Sequence, residues 1–464
     1  MSETITESIN RISLAGRQQV YCLVKHEDPQ LQPLVVAAFQ SRLPQDTYKI
    51  IGSMDEYPGG PLLQLAGKDS LDFDRAFHQP RMLISTYVTR DALTRKHLLG
   101  QTYAAWTAKH PGCLLQTNVK TIANLEINPA ESIYDVLDDT PLGRILEANE
   151  DKGAAERVWW MLRPDLSDGS QDLRLFSTID ELQAAFDDFD AEYEQEQHEQ
   201  ERKAAEEAAA QNALQKQQQP TSADDGDDKD DGDAGARQSG GWSSWFQITV
   251  TTEEHTDVVA PKRHVVAQRY VSRPLTFDGC KFQVSAYVLA VGALRVFVYR
   301  PMLALFAAKP FSAPWNTSSS SNDLSAHSTY DGNVRLFWDL PDRPAGWKQS
   351  VFAQICAITG EVFSAASTKE MGAHFQPLPQ SFELFAVNFA VDAQGKAMLA
   401  DVRASPDMLH QTECGTKLSG LVQGLFEEVA DVAVKPFFDG DDAASPSGSS
   451  DRLVKVVDLD AKKT

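Results

Sequence analysis

ELFAVNFAVDAQGKAMLADV, residues 383–402, decides the fold. Two apolar runs, Leu384 to Val391 and Lys396 to Val402, flank an Asp-Ala-Gln-Gly turn, so they read as adjacent antiparallel strands. Upstream, His264 to Val271, Phe282 to Val291 and Leu294 to Tyr299 are rich in Val, Tyr and Phe, with breaks at Asp278-Gly279 and Gly292, and read as strands of a sheet. Trp347, Val351, Ile355, Ile358 and Val362 repeat at helical spacing, as do Leu418, Leu421, Leu425, Val429 and Val432, which predicts two amphipathic helices beside that sheet. The class is therefore mixed α/β (α+β).

Outward from this block the signals continue. Val20 to Val24 predicts a strand, Leu31 to Leu43 a helix, Arg81 to Val88 a strand and Asp91 to Lys109 one helix. Val158 to Leu162 and Leu173 to Phe176 read as strands around the loop Pro164 to Gln171, and Ser177 as the N-cap of a helix with Glu181 in its first turn. The division expected is an N-terminal α/β region over 18–150, a main region over 151–438 interrupted by insertions at 195–241 and 312–326, and a C-terminal tail over 439–464.

The formal charge is −23, but much of it sits in the Asp224 to Asp233 run and the Glu-rich stretch before it, a composition too polar to pack and expected to be disordered. No excess of Lys and Arg remains for a broad nucleic-acid face, so no direct nucleic-acid partner is expected. Five scattered cysteines without a CxxC pair argue against a disulfide scaffold or a zinc site. No apolar run approaches membrane-spanning length and Met1 to Gly16 lacks a signal-peptide core, so a cytoplasmic or nuclear location is expected.

Four segments, Trp159 to Phe176, His264 to Arg300, Glu383 to Asp392 and Leu399 to Asp407, together resemble the tubulin-tyrosine-ligase-like family, and Arg95-Lys96-His97, Asp278 to Phe282 and Tyr299-Arg300 resemble its fungal, P-body-associated branch. The resemblance implies a two-lobed ATP-grasp fold in which ATP and Mg2+ activate a carboxylate for attack by an amine. It further implies a cytoplasmic setting, in P-bodies for the fungal branch, with tubulin or mRNA-decay factors as protein partners and no membrane.

At the working positions the residues depart from the family pattern. Arg163 and Arg269 stand where the resemblance implies phosphate-binding lysines, Gln268 stands at the adenine hinge, and Lys281 opens the stretch Lys281-Phe282-Gln283-Val284-Ser285 in place of Lys-Phe-Asp-Ile-Arg. Gln283 and Ser285 thus remove an acid and an arginine, while Ser170 and Asp172 replace loop glycines that let backbone approach phosphate. His327-Ser328-Thr329-Tyr330 alters a His-x-Thr-Asn loop, which makes His327, with Arg300, a degenerate substrate position.

The implied metal ligands Asp, Glu and Asn become Asn388, Asp401 and Arg403. A cation about 4 Å from Mg2+ is repelled by roughly 8 kcal/mol at an effective dielectric of about 20, so Arg403 opposes a bound metal. Asn388 and Asp401 are candidate metal ligands or, alternatively, partners of Arg403 in a structural cluster. Arg163 and Arg269 read equally as phosphate contacts or as sheet-edge ion pairs. Three functions follow as expectations: a catalytically degenerate scaffold that binds proteins, an ATP-dependent carboxylate–amine ligase acting on a protein C-terminus or side-chain carboxylate, or a nucleotide sensor that binds ATP without chemistry.

Overall fold

The computed structural model describes residues 18–127, 132–164, 173–188, 199, 202–203, 263–316, 333–404, 415–439 and 451–459. Most of the 195–241 insertion, residues 317–326 of the second, Ser170, Asp172 and His327 lie outside them. The chain separates into two compact units, the first Met1–Ile127 with Glu131–Ala185 and Arg263–Thr464, the second Asn128–Ala130 with Phe186–Lys262.

Among the described residues, three sheets build the first unit. The first is parallel, with strands β1 (Val20–Val24), β2 (Tyr48–Ile51), β3 (Leu62–Leu65) and β4 (Met82–Ile84) in the order β2-β1-β3-β4. A second, antiparallel sheet has β5 (Ile122–Ile127), β6 (Trp160–Pro164), β7 (Arg174–Phe176) and β8 (Arg263–Arg269) in the order β5-β8-β6-β7. β5 lies within the stretch read as the N-terminal region, yet it pairs with β8.

The third sheet is the framework. It contains β9 (Thr276–Phe277), β10 (Cys280–Val291), β11 (Arg295–Tyr299), β12 (Leu303–Phe306), β13 (Val334–Leu336), β14 (Phe382–Val391), β15 (Ala397–Ala404) and β16 (Leu453–Asp458). β10 is its hub: on one side it pairs with β12 and β11 in turn, and on the other with β14 over nine residues. β15 follows β14 through the Asp392–Gly395 turn, closed by Asp392 N–H donating to Lys396 O and by Gly395 at φ +76°. β16 adds an edge beside β11 from within the segment read as a C-terminal tail.

β10 is apolar almost without alternation because both faces of its sheet are covered. Val284, Ala286, Val288 and Ala290 pack with the helix Trp347–Ala366, while Tyr287, Leu289 and Val291 pack with the helix Gly415–Val429 and with Val20, Cys22 and Val24 of β1. The second layer thus joins the parallel sheet to the framework, with Phe39 of the helix Gln32–Arg42 tilted against Phe426. Each such buried Val, Leu, Ile or Phe contributes about 1.5–3 kcal/mol.

Two local expectations change. The run from Asp91 to Lys109 is two helices, Asp91–Thr94 and Lys96–Lys109, broken at Arg95, whose backbone is extended at φ −87° and ψ 120°. The cap predicted at Ser177 falls one residue later: the Thr178 hydroxyl accepts from Glu181 N–H before the helix that begins at Ile179, while Ser177 N–H and hydroxyl both donate to the Glu181 carboxylate.

Candidate functional site

Ser285, Asn388 and Asp401 line up across three adjacent strands. Ser285 opposes Asn388 in the β10–β14 register and Asn388 opposes Asp401 in β14–β15, so their side chains share one face. A bulge follows at once, since Phe389 pairs with Leu399 and Ala400 is the extra residue. Its carbonyl, freed from the ladder, accepts a 2.7 Å hydrogen bond from Gln268 Nε2 on β8. The Gln268 amide is therefore committed to tying the second sheet to the framework.

Around Asp401 the structure collects cations. Arg163 Nη1 approaches Asp401 Oδ2 at 3.9 Å and Arg403 Nε at 3.7 Å, while Asn388 Nδ2 donates to Oδ1 at 2.6 Å. Arg163, Asn388 and Asp401 are 4%, 3% and 5% exposed, so these interactions are poorly screened. Lys120 joins them through backbone pairing: Asn118 to Lys120 lies alongside β15, with Lys120 N–H donating to Leu399 O and Leu399 N–H to Asn118 O. Sequence reading missed Lys120, for it sits outside any periodic element and acquires meaning only from the pairing with Leu399.

The lysines are held towards their neutral forms. Burial, then the neighbouring Arg163, pushes Lys120 down to about 8 against the pull of Asp401. Burial, Lys120 and Arg163 likewise hold Lys281 well below the usual lysine range, with its ammonium 5.0 Å over the Tyr270 ring and 3.4 Å from the Tyr270 hydroxyl. Two buried polar atoms in this neighbourhood, the Tyr103 hydroxyl and Asn388 Oδ1, have no hydrogen-bond partner among the described residues. Burial and the nearby Asp401 charge raise the Tyr103 phenol well above its usual value. One carboxylate among two arginines and two lysines leaves the cluster short of negative charge, which a polyphosphate would supply.

Mg2+ fits less well. Both Asp401 oxygens already face Asn388, Arg163 or Arg403, and among the described residues no group of three His, Cys, Asp or Glu side chains gathers where a metal could sit.

Beside Asp401 opens a cavity of about 320 Å3, whose charged lining is Lys68, Arg90, Arg95, Lys96 and Arg403 against Asp91 and Asp401. The break at Arg95 belongs to this wall. Arg90 is fixed from behind by Glu383 of β14, which accepts from Arg90 Nη1 at 2.7 Å, the Thr86 hydroxyl at 2.9 Å and Tyr87 N–H at 3.0 Å. Burial nevertheless pushes the Glu383 carboxyl up to about 7.

Arg90→Ala should therefore destabilise the protein more at pH 8 than at pH 6. Without the guanidinium the folded-state value rises further, so the folded protein binds more protons than the unfolded chain and loses stability as pH climbs through that window. Urea denaturation of both proteins at the two pH values checks this; an equal loss at both would refute it.

Of the remaining expected site residues, Gln283 opposes Ala390 on β14, and Arg269 is exposed at the end of β8. Arg300 stacks over Trp338 and Phe352 and donates to Gln349 Oε1 at 3.0 Å, which places it against the Trp347–Ala366 helix.

Residues 139–442 match the tubulin-tyrosine ligase family. A probable tubulin–tyrosine ligase of Schizosaccharomyces pombe is 31% identical over 431 residues, spanning 91% of this chain and 93% of that protein. The probable tubulin–tyrosine ligase Pby1 of Saccharomyces cerevisiae is 30% identical over 446 residues, and the match covers 91% of this chain but 52% of that protein. Among solved structures, the C-terminal domain of K. lactis Pby1, described as an ATP-grasp enzyme interacting with the mRNA decapping enzyme Dcp2, superposes with a TM-score of 0.65 at 24% identity, covering 95% of this chain and 99% of that one.

Proposed function

The chain belongs to the tubulin-tyrosine ligase family and has its ATP-grasp fold, and from that premise we propose that it is a catalytically degenerate member that holds a nucleotide triphosphate without turning it over and acts as a protein-binding scaffold. One observation carries the reading: Asp401, at an implied metal position, is engaged by Asn388 on one oxygen and faced by Arg163 and Arg403 on the other. Lys120, Arg163 and Lys281 supply the phosphate contacts, and their charges would be neutralised by the triphosphate that Asp401 alone cannot balance. Pby1's interaction with Dcp2 supports a partner in mRNA decay, and with it a cytoplasmic, P-body setting. No helix among the described residues is long and apolar enough to cross a membrane.

A second reading, an active ATP-dependent ligase, is favoured by the basic cavity beside Asp401, whose five cations suit an acidic acceptor peptide.

Calorimetric titration with ATP separates the two. Under the scaffold reading, ATP binds as well without Mg2+ as with it, and no ADP forms when a glutamate-rich peptide and free amino acids are added. Binding also takes up protons above about pH 8, because phosphate favours the charged form of Lys120; titrations in buffers of different ionisation enthalpy measure this. Binding that requires Mg2+, with ADP released in step with ligation, would establish the ligase instead.

A further inference from the structure

A second cavity, of about 210 Å3, opens at the carboxyl ends of the parallel sheet. β2 pairs with one side of β1 and β3 with the other, so the strand order reverses at β1. In open α/β sheets the crevice beyond the strand ends at such a reversal is where ligands bind. Here it is bounded by the loops following β1 and β3 and by the start of β14.

Its chemistry is two-sided. Leu31, Phe382 and Phe426 are 1%, 1% and 2% exposed and give it an apolar floor. Glu27 and Asp28 stand at the rim, and the buried Glu383 carboxylate forms part of the wall. Gly67 accommodates this arrangement: a Cβ there would meet Glu27 Oε1 at 1.8 Å, so any larger residue would displace the carboxylate.

Arg90 and Lys68 already answer Glu383, and Asp28 Oδ1 accepts from Gln30 N–H at 2.8 Å, so the negative charge offered to a ligand is that of Glu27 and the outer oxygen of Asp28. Lys25 is exposed at the mouth, and His26 Nδ1 accepts from Asp28 N–H at 3.0 Å, which fixes its ring as a neutral donor through Nε2. Burial lowers the His26 value in the same direction. An anion at the amino end of the helix Gln32–Arg42 would meet Glu27 and Asp28, so that helix end offers it no home.

We propose that this cavity is a second ligand site, for a small primary amine bound as its ammonium ion: Glu27 and Asp28 receive the ammonium, and Leu31, Phe382 and Phe426 receive a short apolar body. It is distinct from the phosphate cluster at Asp401, and it stands or falls independently of whether that cluster holds ATP.

The test is calorimetry on the full chain with n-hexylammonium as the probe, and hexanol and hexanoate as the neutral and anionic analogues. The ammonium should bind at one site and about tenfold tighter than hexanol, with hexanoate weaker still. Glu27→Gln combined with Asp28→Asn should weaken it by about tenfold, and Ala66→Leu should block it by filling the cavity. ATP should not compete. Equal binding of hexylammonium and hexanol, unchanged binding in the rim double variant, or displacement by ATP would each overturn the proposal; the rim variant changes two surface side chains, so the answer does not depend on whether the cavity-filled protein folds.

Discussion

Lys120→Met should make the ligand-free protein more stable at pH 7, by roughly 2–3 kcal/mol, while weakening its hold on triphosphate by about 10- to 100-fold. Lys120 is 7% exposed and burial has pushed it down to about 8, so carrying its charge at pH 7 costs the fold on the order of 3 kcal/mol relative to the unfolded chain. Methionine keeps an unbranched apolar stem and removes that cost. The gain should shrink as pH rises from about 8 towards 10.5: the unfolded chain binds more protons than the folded protein there, so the parent's stability climbs towards that of the variant. Urea denaturation across that pH series, with an ATP titration at pH 7, checks both halves. A methionine variant less stable than its parent at pH 7 would mean that Lys120 is already fully paired, and the phosphate cluster would lose its main support.

Asp401→Ala should act in the opposite sense, with a loss of about 3–5 kcal/mol, the cost of removing one partner from a buried ion cluster. Arg163 cannot shed its proton as a lysine can, so it would be left 4% exposed with its neighbouring carboxylate gone. ATP or inorganic triphosphate should restore part of the loss, about 2.7 kcal/mol at a concentration 100 times its dissociation constant. The comparison of melting with and without triphosphate is therefore the informative one. A loss below about 1 kcal/mol without rescue would show that Asp401 does not balance the cations around it.

The fold was legible where packing imposed a pattern on the sequence. Phe282 to Val291 reads as a doubly covered strand because its two faces meet two helix layers, and residues 384–402 read as a hairpin because Gly395 supplies the left-handed turn position. The predicted helix 91–109 failed at Arg95 because arginine has a good intrinsic helix propensity, so nothing in the sequence at that position marks its extended backbone. β16 was missed because a six-residue strand following a polar segment has little periodicity of its own; only β11 makes it an edge.

For the site, Asn388 and Asp401 stood out as positions that the family resemblance marks, and their strands form a local hairpin, whereas Ser285 reaches them from a strand far earlier in the chain, a register no local pattern announces. Lys120 could not, since its neighbours Arg163 and Asp401 are distant in sequence and reach it through the pairing of Val119 with Leu399. Nor could Glu383, whose partners Arg90, Thr86 and Tyr87 come from the other end of the chain.

That last cluster has an evolutionary consequence. Glu383 is sealed into the sheet at 2% exposure, and Arg90 is the cation that answers it. A lineage that lost Arg90 alone would keep a buried acid with only Lys68 to answer it, and one that lost Glu383 alone would strand a guanidinium, so each single step is a descent in fitness while the paired change is not. Positions 90 and 383 should accordingly vary together among homologous chains, either both retaining the acid and base or both surrendering them to uncharged residues. An alignment in which one changes freely against a constant other would show that the ion pair is dispensable to the fold.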